Sequence, residues 1–133
     1  MRYRKGYKYQ LYEDEEIRTG IYGKNIKTDF IELFANGVLI GRKGYAWDGA
    51  SFFLARDNKH TVRGTLFHDI GYQLIREGLL TPDYKAYFDG LLYLIITQDG
   101  LNKLEATVWY RAVWGFGKSA TLPENDREIL EAP

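Results

Sequence analysis

The chain has 133 residues, 45% of them hydrophobic and 16% aromatic, enough to build a core and too apolar for a disordered segment. Eighteen basic residues balance 18 acidic ones and there is no cysteine. This excludes a disulfide scaffold and thiolate metal sites, and it speaks against a nucleic-acid binder that works by neutralising phosphates.

The start of the chain, MRYRKGYK, is the one clearly basic segment, and it fits a solvated N-terminal tail better than a nucleic-acid arm. It leads into no apolar run, so no signal-peptide pattern is present. Strands are expected over about residues 7–50. YKYQLYE alternates loosely, IRTGIY is rich in β-formers, and the apolar runs FIELF and VLIGRKGYAW flank Asn36-Gly37. Asn-Gly is a strong hairpin signal and predicts a type I′ turn, in which both central residues take positive φ. Asp48-Gly49 marks a second turn or loop.

From about residue 59 to 117 the spacing becomes helical. The first helix carries Val62, Leu66, Ile70, Leu74 and Ile75, with Thr61 as N-cap and Gly78 as the C-terminal stop. A second opens at Thr81 and Pro82 and closes at Gly100. A third starts from Asn102, with Glu105 three residues on as in a capping box, and Leu104, Val108, Ala112, Trp109, Val113 and Phe116 form a broad apolar face. The longest apolar stretch, GLLYLIIT, is far short of the ~20 residues that a membrane-spanning helix needs. Residues 118–133 are a polar, acidic tail. Strands first and helices second predict one α+β domain over 1–133, an N-terminal antiparallel sheet packed with about three C-terminal helices.

Chemistry concentrates in the helical half. His68 and Tyr72 lie four apart on one face of the first helix, with Asp69 beside them. Asp89 falls mid-way along the second helix in the apolar setting YFDGLL, where an unpaired carboxylate is costly, and His68 is its natural partner. Gly71 and Gly90 suggest a close helix crossing. One reading is a polar staple, with Asp89 accepting from His68 or Tyr72 and Asp69 paired with Arg63, Arg76 or another donor. The other is a site in which His68 is a general base oriented by Asp89, while Asp69 and Asp48 hold a divalent cation such as calcium or magnesium. Trp47, Asp48 and Ser51 of WDGAS stand just before the helices; Ser51 lacks the G-x-S-x-G setting of a nucleophile. No P-loop, dinucleotide fingerprint, H-E-x-x-H or EF-hand pattern occurs.

The order GYAWDGAS, HDIGYQLIREG, YFDGLL and an apolar third helix resembles a small family of phage and prophage proteins known as a domain of unknown function. Asp48, Ser51, His68, Asp69, Tyr72 and Asp89 match its pattern across about residues 7–117, and the resemblance implies a viral source. The chain is also similar, more distantly, to phospholipases A2, whose catalytic helix reads His-Asp-x-Cys-Tyr. That similarity implies His68 as the base activating water, Asp69 as a calcium ligand, and Tyr72 and Asp89 orienting His68. Gly71 replaces the cysteine, and no glycine-rich calcium loop precedes the helix.

Three expectations follow for a protein of the host cytoplasm or the virion. It is a phage accessory protein with a small hydrolase-like His-Asp site, a binder that sequesters a host signalling nucleotide through aromatics and Arg or Lys side chains near the WDGAS loop, or a virion or tail-assembly component. Its partners would be a small molecule or another phage or host protein, with a homo-oligomer expected of the binder.

Overall fold

The computed structural model describes residues 3–4, 9–49 and 58–116. It is an α+β arrangement of antiparallel strands followed by three helices, in two compact units: one carries the strands up to Asp48, the other the helices from Gly49 on. No described helix is long and apolar enough to cross a membrane.

The strand unit holds two sheets rather than one. β1 (Tyr3–Arg4), β2 (Tyr9–Leu11) and β7 (Ala46–Trp47) form the first in the order β1-β2-β7. β3 (Glu15–Arg18), β4 (Ile26–Lys27), β5 (Ile31–Leu33) and β6 (Val38–Gly41) form the second in the order β3-β6-β5-β4. All pairings are antiparallel, and the register Leu33↔Leu39 puts two fully buried leucines side by side. The hairpin at Asn36-Gly37 exists, but its turn is not type I′. Only Gly37 has positive φ (93°), and Phe34 O accepts from Gly37 N at 2.9 Å. Ala35 and Asn36 therefore form the turn and Gly37 takes the left-handed position after it, where a Cβ would meet Thr19 O at 2.4 Å. Of the IRTGIY segment, only Ile17 and Arg18 are in a strand.

In the helical unit, α1 (Val62–Arg76), α2 (Tyr84–Gln98) and α3 (Lys103–Phe116) are joined by short turns, and α2 packs on both other helices. The stops are as expected. Leu79 N donates to Leu74 O and Gly78 N to Ile75 O, while Leu101 N donates to Ile96 O and Gly100 N to Thr97 O. With Gly78 and Gly100 at φ 75° and 107°, both helices end in Schellman motifs. At the start of α3, Glu105 N donates to Asn102 Oδ1 and Asn102 Nδ2 to Glu105 Oε1, each at 2.8 Å, so Asn102 caps the helix as expected, but Glu105 answers the side-chain amide rather than the Asn102 backbone N–H that a full capping box would use. α2 begins later than expected: Thr81 and Pro82 make the preceding turn, with Tyr84 N donating to Thr81 O, and Asp83 is the N-cap.

α1 and α2 cross closely because α1 has no Cβ at two contact points. A Cβ on Gly71 would lie 2.2 Å from Phe88 Cγ, and one on Gly64 would lie 2.5 Å from Ile96 Cγ2. Gly90 plays no such part, since a Cβ there would meet nothing within 4 Å. α3 buries Ala106, Trp109 and Val113 against Leu92, Ile96 and Leu101. Leu104 and Val108, expected in the apolar face, lie on the opposite side of α3; Leu104 is 82% exposed.

Candidate functional site

The polar residues of α1 and α2 do meet. Asp89 projects from the buried side of α2, one turn after Lys85 and one residue after Phe88, the ring that fills the gap left by Gly71. Its Oδ1 lies 2.8 Å from His68 Nε2 and accepts from Tyr72 OH at 2.5 Å. Its Oδ2 accepts from Lys85 Nζ at 2.7 Å. His68 and Tyr72, one turn apart on α1, lie against each other with ring centroids 4.0 Å apart and planes tilted by 43°, so a single carboxylate oxygen serves both. The Lys85 ammonium also reaches Trp114 O at 3.3 Å and Val113 O at 3.4 Å in the last turn of α3. One buried carboxylate thereby ties all three helices.

The sequence reading identified His68, Tyr72 and Asp89 but missed Lys85. Its signal was available: Lys85 precedes Asp89 by four positions, the spacing that puts both on one helical face.

The electrostatics follow from enclosure. Asp89 is fully buried, Tyr72 nearly so, and His68 is 4% exposed; the Lys85 side chain, at 17%, is the group through which the cluster reaches solvent. Burial pushes the Asp89 carboxyl up, but bonds from His68, Lys85 and Tyr72 outweigh it and hold its pKa below the usual carboxylate range. Burial lowers the His68 pKa and outweighs the pull of Asp89 toward the protonated form. The physical reason is charge count: Lys85 and Asp89 already sum to zero, and a proton on His68 would add a net charge to a dry site. Burial, then the hydrogen bond to the carboxylate, raises the Tyr72 pKa. The cluster is thus a neutral imidazole, a phenol and a Lys⁺–Asp⁻ pair. An ionised carboxylate can only accept, so the imidazole proton sits on Nε2 and Nδ1 carries the lone pair.

The remaining candidate residues fall in both units. Asp69 is half-buried on α1 next to His68, and Arg63, one of its expected partners, instead makes a two-pronged pair with Asp99 (Nε–Oδ2 3.1 Å, Nη2–Oδ1 2.9 Å). Arg76 is half-buried in the last turn of α1. Asp48 and Trp47 belong to the strand unit, and Ser51 lies outside the described residues. Trp47 offers no open face for a ligand: it is buried, stacked on Tyr9 at 5.3 Å and on Tyr45 at 6.4 Å. Among the described residues no group of three or more His, Asp or Glu side chains is placed to hold a metal ion.

Beside the cluster, Pro82, Asp83, Lys85, Ala86, Trp114 and Gly115 line an open groove of about 490 Å³. Neither His68 nor Asp89 lines it. Comparison with protein-family models, with curated proteins and with solved structures gives no match for this chain.

Proposed function

We propose that the protein is a non-catalytic phage accessory protein that acts through protein–protein contact, as a component of virion or tail assembly, and that its His-Asp cluster is a structural staple. The observation that carries this reading is the enclosure of the imidazole. His68 is 4% exposed, its Nε2 is committed to Asp89, and that carboxylate is occupied by two further donors. A general base has to exchange protons with a bound substrate or water, and burial here holds the ring neutral and leaves it little surface for either to reach. Exposed apolar side chains supply the alternative: Leu104 and Val108, one turn apart on α3, both face solvent, and an apolar surface of this kind suits contact with another protein.

Sequestration of a nucleotide is less well supported, because Trp47 is buried and Lys85, the lysine among the groove's described residues, is paired with Asp89. A hydrolase-like role keeps one specific observation in its favour. The Nε2–Asp89 bond fixes the tautomer and leaves Nδ1 basic, so a carboxylate orients the ring while its other nitrogen carries the lone pair a general base needs.

His68→Gln separates the two, since the glutamine amide can still donate to Asp89. In the phage that carries the gene, deletion should reduce particle yield, and the chain should appear in purified particles or in an assembly intermediate. His68→Gln should then complement in proportion to the folded protein it produces. Absence of the chain from particles and intermediates would overturn the assembly reading, as would a fully folded His68→Gln protein that fails to complement.

A further inference from the structure

Asn36-Gly37 builds the turn between β5 and β6, and the same two residues form the pair in which an asparagine side chain most easily reacts with its own backbone. Glycine has no Cβ to shield its nitrogen, so that nitrogen can reach the preceding carboxamide carbon. The fold uses both residues. A Cβ at Gly37 would meet Thr19 O at 2.4 Å, and Asn36 Oδ1 accepts from Val38 N at 3.1 Å. Asn36 is exposed to water, Gly37 is buried, and no other Asn-Gly pair occurs in the chain.

The closed hairpin restrains the groups that would react. Gly37 N–H donates to Phe34 O at 2.9 Å, which keeps its proton in place while the turn is intact. Gly37 O accepts from both the N–H and the hydroxyl of buried Thr19, each at 2.7 Å. Ring closure between Gly37 N and Asn36 Cγ needs rotation about the Asn36 Cα–C bond, and that rotation pulls Gly37 out of the clamp.

We infer that Asn36 is a modification site whose reaction with water is gated by opening of the β5–β6 hairpin. Once freed, Gly37 N loses its proton to base and attacks Asn36 Cγ. The N–Cγ bond forms, the Cγ–Nδ2 bond breaks, and Nδ2 takes up a proton and leaves as ammonia, which closes a succinimide ring. Water then opens the ring at one of its two carbonyls. Breaking the N–Cγ bond gives aspartate on the normal backbone. Breaking the bond to the main-chain carbonyl gives isoaspartate, with the backbone routed through the side chain. On either route water is consumed and ammonia released. The products differ in what the turn can hold. Aspartate keeps an oxygen for Val38 N. Isoaspartate adds a methylene to the main chain between positions 36 and 37, so Gly37 O cannot return to Thr19 while Phe34 stays paired with Val38. The hairpin thereby keeps a permanent mark of having opened. The site stands apart from the assembly role proposed above.

Deamidation of the full chain in mildly alkaline buffer tests this, read by peptide mass mapping and by labelling with an isoaspartate-specific methyltransferase. Conversion at Asn36 should be at least about 10-fold faster in urea that unfolds the chain than in buffer, because the open form is the reactive one. In native buffer Thr19→Val, which loses the hydroxyl half of the clamp, should convert about 2- to 10-fold faster than wild type. Asn36→Asp should melt at the wild-type temperature, whereas the isoaspartyl form, separated by chromatography, should melt lower. Equal rates with and without urea would overturn the inference, and that comparison holds even if Thr19→Val does not fold. So would a folded Thr19→Val protein that converts at the wild-type rate, or an isoaspartyl form as stable as wild type.

Discussion

Replacing Asp89 by alanine removes the acceptor on which three helices converge. His68 N–H and Tyr72 O–H then point into a site without solvent, and each unsatisfied donor costs about 1–3 kcal/mol. Lys85 loses its counter-ion but keeps the carbonyls of Val113 and Trp114 and some water, so its share is smaller than that of a wholly enclosed ammonium. The sum agrees with the ~3–5 kcal/mol typical of removing one partner from a buried pair. At about 3–6 °C per kcal/mol for a chain of this size, the melting temperature should fall by roughly 10–30 °C. Thermal unfolding followed by far-ultraviolet circular dichroism reads this directly. Asp89→Asn combined with Lys85→Met should recover about 1–3 kcal/mol relative to the sum of the single changes, since the double variant leaves no unpaired charge. A loss of less than about 3 °C for Asp89→Ala would show that the cluster does not hold the helices, and the staple account would fall.

Other expectations concern the same helices. Gly71→Ala should destabilise by about 1–3 kcal/mol in urea titrations, because its Cβ would lie 2.2 Å from the Phe88 ring, whereas Gly90→Ala should stabilise by about 0.5–1 kcal/mol. Asn102→Ala should lower stability by about 1 kcal/mol through loss of the α3 cap. Stability should fall with acid in two stages. The His68 pKa lies below its ordinary 6.5 in the folded chain, so the unfolded state takes up the proton first; the contribution is full above 6.5 and declines below it, down to the folded value. The Asp89 contribution is full above 3.8 and is lost as pH falls from there through its depressed folded pKa. In denaturation curves collected across pH, His68→Gln should abolish the first stage and leave the second.

Much of the helical half was legible because its signals are local. Gly78, Gly100 and the Asn102/Glu105 pair each act within one helical turn; the two glycines close α1 and α2, and Asn102 opens α3, where the sequence placed them. The meeting of His68 with Asp89 was legible for a different reason: a carboxylate in an apolar helix must find a donor, and few were at hand. What depends on a distant partner was hidden. Gly71 and Gly90 look alike in sequence, yet only Gly71 faces another helix. α3 offers two apolar stripes; α2 covers the one with Trp109 and Val113 and leaves Leu104 in solvent, which no pattern on α3 itself could decide. β4 is two residues long and exists through pairing with Leu33 and Glu32, and the turn at Asn36 was set by the hairpin's length rather than by its Asn-Gly dipeptide. Lys85 was overlooked because a lysine early in a helix suggests a solvated side chain.

The most direct test of the staple is the protonation state of His68, followed by long-range ¹H–¹⁵N NMR of the imidazole nitrogens across pH, with His60 as an internal comparison. The expected result is a His68 ring that stays neutral, with its proton on Nε2, as pH passes down through 6.5 while the protein remains folded. A folded-state titration of His68 at or above 6.5, or a proton resident on Nδ1, would contradict the account and return the ring to the role of a working base.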